Sequence, residues 1–180
     1  MEHNAFVFDY DSFDAELVPL LKNVLYTHDV EPLTHFIDTN LAHLSLPLDG
    51  NPLDISWRDG LTEYSVNSCG ALALTHYYSP LDNVGLLFEW DDLWDFLDEY
   101  GLSEIMLGTP LSRRLVGFYP MGEYSYVQSP EEVTENLKRL EELYKDNPEI
   151  DNELDEIVIM FQRAARALKG LFVTLVTSSL

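Results

Sequence analysis

Apolar positions along the chain fall into short blocks of differing period, and those periods predict the elements. Ala5 to Phe8 is a compact apolar run that suits a strand. Beyond it, Leu17, Leu20, Leu21, Val24 and Leu25 recur at the three-and-four spacing of one helix face. That helix is expected from Ser12 to about Tyr26, with Ser12 as the cap and Asp14 and Glu16 in the first turn, where carboxylates suit the helix dipole. Pro19 lacks the amide hydrogen that an interior helical position donates, so the helix is expected to start near Val18 or to kink there. A second helix is expected from Pro32 to Leu44, with Leu33, Phe36, Ile37, Asn40, Leu41 and Leu44 on one stripe.

Residues 45–60 carry Pro47, Gly50, Pro52 and Gly60 together with Asp49 and Asn51, which is loop chemistry. Trp57 within the stretch marks the loop as ordered. Cys69 to Tyr78 fits a buried helix and a strand equally well. Gly85 to Phe88 reads as a short strand, and Asp91 to Tyr100 as a helix closed by Gly101. In that helix Trp90, Leu93, Trp94 and Leu97 form the apolar stripe, while Asp91, Asp92, Asp95, Asp98 and Glu99 cover the rest. Glu104 to Leu107 is read as a strand, and residues 108–128 as loop and strand.

The sharpest local signal is Ser129-Pro130-Glu131-Glu132, a capping box with proline at the first helical position. Its helix is expected to run to about Lys145 and to stop before Pro148. A partner helix from Asp151 to Lys169, ended by Gly170, would complete a hairpin. Leu171 to Val176 then reads as a strand rich in β-branched residues. The expected fold is α+β: one domain over residues 1–180, with several helices, the C-terminal hairpin among them, on a small mixed or antiparallel sheet.

Composition adds little to the fold and more to the function. With 180 residues and 46% hydrophobic positions, the chain can bury a sizeable core. Cys69 is the single cysteine, so no internal disulfide forms, which suits a reducing compartment. The first residues show neither the basic nor the apolar region of a signal peptide, and the cytoplasm is the expected location. The net charge is −22. Residues 1–112 hold 20 acidic side chains against Lys22 and Arg58 alone. Such a field repels nucleic acid and anionic membrane and attracts basic partners. Solubility alone explains many acidic proteins as well.

Several constellations could carry chemistry. Asn67-Ser68-Cys69-Gly70, with Leu74 and His76, resembles the nucleophile segment of ubiquitin C-terminal hydrolases, papain-like cysteine peptidases. The resemblance implies a cysteine at a helix N-terminus, where the dipole lowers its pKa. Glu63 stands where that family places an oxyanion-hole glutamine, and a carboxylate there opposes an oxyanion. No histidine follows His76, and on a helix seven residues amount to roughly 10.5 Å of rise, beyond hydrogen-bond reach of Cys69. A buried structural cysteine is the commoner reading. Phe6-Val7-Phe8-Asp9-Tyr10-Asp11 resembles the first motif of haloacid-dehalogenase-type phosphotransferases, which implies a carboxylate nucleophile, magnesium and a doubly wound sheet. The strand-helix alternation of such a sheet is missing from the pattern. His28, His35 and His43 lie at spacings that do not converge on one ion from a single helix, so no metal site and no cofactor is expected. Arg113, Arg114, Arg163, Arg166 and Lys169 are expected to pair with carboxylates of the same chain.

The balance of these readings is a non-catalytic protein that binds a basic protein partner, in the manner of an inhibitor or immunity protein. Its expected binding residues are Asp91, Asp92, Asp95, Asp98 and Glu99. The alternatives are a cysteine hydrolase using Cys69 and a structural homo-oligomer component. Oligomeric state is open.

Overall fold

The computed structural model describes residues 1–87, 90–122, 124–147, 150 and 154–177. Four strands form one antiparallel sheet: β1 (Glu2–Phe8), β2 (Thr109–Pro110), β3 (Ser125–Gln128) and β4 (Gly170–Val176), in the order β1-β4-β3-β2. β4 pairs along its whole length with β1, from Phe8 opposite Gly170 to Glu2 opposite Val176. On its other side it pairs with β3, Val127 facing Phe172. The fold is thus α+β, as the pattern predicts, and the sheet is antiparallel throughout.

Both faces of the sheet are covered. Alternation sends Phe6, Phe8, Phe172 and Val127 to one side and Ala5, Leu171, Val173 and Leu175 to the other. The first side packs on α1 (Tyr10–Ser12), α2 (Val18–Thr27), α3 (Glu31–Asn40) and α4 (Val66–Leu74), with the short α6 (Leu111–Arg114) beside them. The second packs on α5 (Trp90–Glu99), α7 (Pro130–Asp146) and α8 (Asp155–Arg166). α7 and α8 also pack on each other, giving the expected C-terminal pair. The expected beginning of the second helix at Asp151 lies outside the described residues. A strand covered on both faces has no polar side to show, which is why Leu171–Val176 reads as an apolar run interrupted only by Thr174, itself buried.

Local chemistry explains most element boundaries. Between α1 and α2 the backbone widens into a π-turn over Phe13–Leu17, and the Val18 amide donates to the Phe13 carbonyl. Pro19 then sits in the first turn of α2, directly after the widened turn. α2 ends at His28, in the left-handed region at φ 59°. Ser129 and Glu132 form the reciprocal capping box of α7, and Pro130 opens that helix. Residues 65–78, open on sequence alone, resolve as a helix capped by Ser65 and followed by a turn.

Three expectations are corrected. Glu104 to Leu107 is not a strand: Ser103–Met106 is a 3-10 turn that buries the adjacent residues Ile105 and Met106 together. Gly108, at φ 91°, redirects the chain immediately afterwards. Gly85 does not sit in a regular strand. The segment forms no ladder with β1 but isolated backbone bridges, His3 with Leu87 and Phe6 with Asn83, supplemented by side-chain bonds, and Phe88 lies outside the described residues. Gly170 does not end α8. That helix ends where Leu168 turns left-handed, and the Lys169 amide reaches back to the Ala164 carbonyl. Gly170 is instead the first residue of β4, pressed against β3 so closely that a Cβ would lie 2.1 Å from the Gln128 carbonyl oxygen.

Gln128 itself is fully buried and ties three elements together. Its Nε2 donates to the Ile105 carbonyl at 2.8 Å, and its Oε1 accepts from Asn136 of α7 at 2.9 Å. Gly170→Ala is expected to lower unfolding stability by about 2 kcal/mol or more, because backbone rather than a side-chain tip would have to move. Gly60→Ala, with nothing within 4 Å of the added carbon, serves as the control and should shift stability by less than about 0.5 kcal/mol. Chemical denaturation measures both. Equal stability of the two variants would contradict the close β3–β4 approach at Gly170.

Candidate functional site

The outer face of α5 carries five carboxylates on one helix, and none of them is in an ion pair among the described residues. Its inner face is fixed by packing: Trp90 and Leu97 are buried, and Leu93, Trp94 and Phe96 are partly buried against the same core. The Trp90 indole N–H donates to the Met1 carbonyl at 2.9 Å, and Trp94 meets Trp90 edge-on. This anchoring leaves Asp91, Asp92, Asp95, Asp98 and Glu99 exposed. Asp98 accepts a hydrogen bond from Ser103 at 2.8 Å. Among the described residues, no lysine or arginine pairs with any of the five. The ion pairs lie elsewhere: Arg58 with Asp38, Arg114 with Asp14, Lys138 with Glu142 and Lys169 with Asp9. All five binding residues expected from the sequence therefore share one solvent-facing surface.

Cys69 is placed differently from an activated nucleophile. It is the fourth residue of α4, and its side chain is fully buried in the core beneath α2 and α3. Burial pushes the thiol above its ordinary pKa, and the nearby Arg58 guanidinium only partly opposes that. Arg58 is itself committed. It forms a two-pronged bond to Asp38, at 2.8 and 2.5 Å, and lies over the Trp57 ring. The Trp57 indole donates to the same carboxylate at 2.9 Å, which explains why the 45–60 loop is ordered. Gly70, beside Cys69, leaves room for Phe118, whose ring would lie 2.3 Å from an added Cβ.

The fold brings together one polar group that sequence spacing does not show. Asp9, His43, Thr75, His76, Tyr77, Ser79 and Lys169 line an open cleft of about 450 Å³. Lys169 binds Asp9 at 2.7 Å across 160 positions of sequence. Burial raises the Asp9 pKa, but bonds from Lys169 and Ser12 outweigh it and hold the carboxyl below its usual value. His43 meets His76, not Cys69, with ring centroids 6.0 Å apart, and Phe36 and Tyr77 close round the same imidazole. His76 Nδ1 is buried without a hydrogen-bond partner among the described residues. The Tyr77 hydroxyl donates to Glu16, and desolvation and that carboxylate raise its pKa. So Asp9 serves as a helix cap and an ion-pair partner. The antiparallel sheet around it is not the doubly wound sheet that the phosphotransferase resemblance implies. Among the described residues, no three His, Cys, Asp or Glu side chains converge to hold a metal ion.

The arginines expected to pair internally divide. Arg114 bonds Asp14 and the Tyr10 hydroxyl from a short helix rather than a loop, and Lys169 bonds Asp9. Among the described residues, Arg166 reaches Gln162, at 3.4 Å, and no carboxylate. No family profile matches the chain, and no curated protein or solved structure matches it either.

The buried thiol carries a prediction. Ellman's reagent at pH 8 should leave Cys69 essentially unmodified in the folded protein and titrate one thiol per chain once denaturant is added. Rapid modification of the folded protein would contradict the burial of Cys69.

Proposed function

We propose that the protein acts by binding a basic protein partner, with the outer face of α5 as the docking surface. The observation that carries this reading is the set of five exposed carboxylates on one rigidly anchored helix, none paired with a cation among the described residues. The net charge of −22 extends the same field over the molecule and would speed encounter with a cationic surface. It also disfavours nucleic acid and anionic membrane as partners. No helix among the described residues is long and apolar enough to cross a membrane. The work of such a protein is to occupy and neutralise a basic surface, as an inhibitor or immunity protein does, in the cytoplasm and without a cofactor. The buried, weakly acidic thiol of Cys69 gives the hydrolase alternative no support.

The test has two steps. Affinity capture from lysate of the source organism, eluted on a salt gradient, supplies the partner. Its affinity is then measured for the parent protein and for an Asp91→Asn, Asp92→Asn, Asp95→Asn triple variant. The triple variant is expected to bind about tenfold more weakly or worse, with a shallower salt dependence. An unchanged affinity and salt slope would sink the assignment of α5.

A further inference from the structure

We infer that His3 is an acid-sensitive latch that holds the 83–87 segment, and with it the start of α5, against the edge of the sheet. The inference is independent of any partner for α5.

β1 would be an open sheet edge, a row of unpaired backbone groups, without this segment. The segment covers it by sparse contacts. His3 and Leu87 exchange backbone hydrogen bonds at 2.8 and 3.0 Å, and the Val84 amide donates to the Ala5 carbonyl at 2.8 Å. Asn83 Oδ1 accepts from the Ala5 and Gly85 amides. Gly85 makes the close passage possible, since a Cβ there would lie 2.4 Å from the His3 carbonyl oxygen. Leu87 is held in the left-handed region, at φ 52°, which costs energy for a branched apolar residue. A strained cover on few bonds opens locally more easily than the core.

The His3 ring is the buried pin in this arrangement. It is fully buried, and both nitrogens are committed to backbone groups. Nδ1 accepts from the Leu86 amide at 3.2 Å, and Nε2 donates to the Met106 carbonyl at 3.0 Å. An amide N–H can only donate and a carbonyl can only accept, so the partners fix the neutral tautomer with hydrogen on Nε2. One ring thereby joins β1, the 83–87 segment and the 103–106 turn, and it stacks on Trp90 at the start of α5. A second proton would sit on Nδ1, pointing at the Leu86 amide hydrogen, and would place an uncompensated charge in the core. Burial accordingly lowers the His3 pKa, against the opposing influence of the Met106 carbonyl.

The ionisable groups on the surrounding elements do not relieve this. The 83–87 segment and β4 carry none. α5 offers Asp91 and Asp92, the 103–106 turn Glu104, and α8 Glu156 and Arg163, which line a groove beside the segment. All five are exposed, and none bonds His3.

Opening the segment lets His3 return to an ordinary pKa of about 6.5. The open form then binds a proton that the latched form refuses, so opening becomes easier as pH falls through that value. Between pH 7.5 and 5.5 the opening constant should rise by up to about tenfold. Most carboxylates titrate below this window. Amide hydrogen exchange at Leu86 and Leu87, corrected for intrinsic rates, reads the opening. Protection in the parent is expected to drop towards tenfold over those two pH units, and His3→Gln, which cannot take up a proton, should show a flat profile. A flat profile in the parent, or the same drop in His3→Gln, overturns the latch. If that variant does not fold, ring nitrogen shifts of the parent decide: neutral imidazole at pH 6 is expected. A charged ring at that pH with the Leu86 amide still protected overturns the latch equally.

Discussion

Pairing of β4 with β1 on one side and β3 on the other, with both of its faces buried, is the constraint from which the rest of the structure follows. A strand in that position must be apolar on both sides and free of bulk where its neighbours come closest. Leu171, Phe172, Val173 and Leu175 meet the first demand, and Gly170, against the Gln128 carbonyl, meets the second. Because alternate residues feed two separate cores, the helices must divide between the faces. α1 to α4 with α6 take one, and α5, α7 and α8 the other. That division fixes which side of α5 can be buried and leaves its carboxylates facing water.

The same constraint accounts for the polar groups that the core does tolerate. Gln128, His3 and Thr174 are buried on the sheet. Gln128 and His3 each donate one side-chain bond to a backbone carbonyl of the 103–106 turn and accept another from elsewhere, Gln128 from Asn136 and His3 from the Leu86 amide. That turn, read as a strand on sequence alone, is therefore held from two directions by side chains that reach it across the sheet face. Such satisfied buried polar groups narrow the arrangements a fold can adopt, because any other packing leaves them unpaired.

What the sequence reveals divides along local and distant causes. The capping box at Ser129, the role of Pro19, the stripe of α5 and the apolar run of β4 are each carried by residues within a few positions of one another, and each is legible. Boundaries set by distant contacts are not. Gly170 looks like a helix stop because glycine so often serves as one, whereas its conformation answers to a backbone 42 positions away and Leu168 makes the turn. Of the candidate surface, the five carboxylates of α5 are legible as a face, since helical periodicity alone groups them. The pairing of Asp9 with Lys169, the meeting of His43 with His76 and the two bonds of His3 are not, because each joins positions 33 to 160 residues apart. His3 gives no signal at all in a polar opening stretch. Only the register of β1 on β4 turns its ring inward.

The functional account rests on one surface, so the most direct measurement is where a partner touches it. Zero-length carbodiimide cross-linking joins carboxylates to lysines in contact, and mass spectrometry locates the joined residues. Applied to the protein with its captured partner, it should link Asp91, Asp92 or Asp95 to partner lysines, with yields that fall as salt rises. Links confined to acidic residues outside α5, or yields indifferent to salt, would contradict the proposal that this helix is the docking surface.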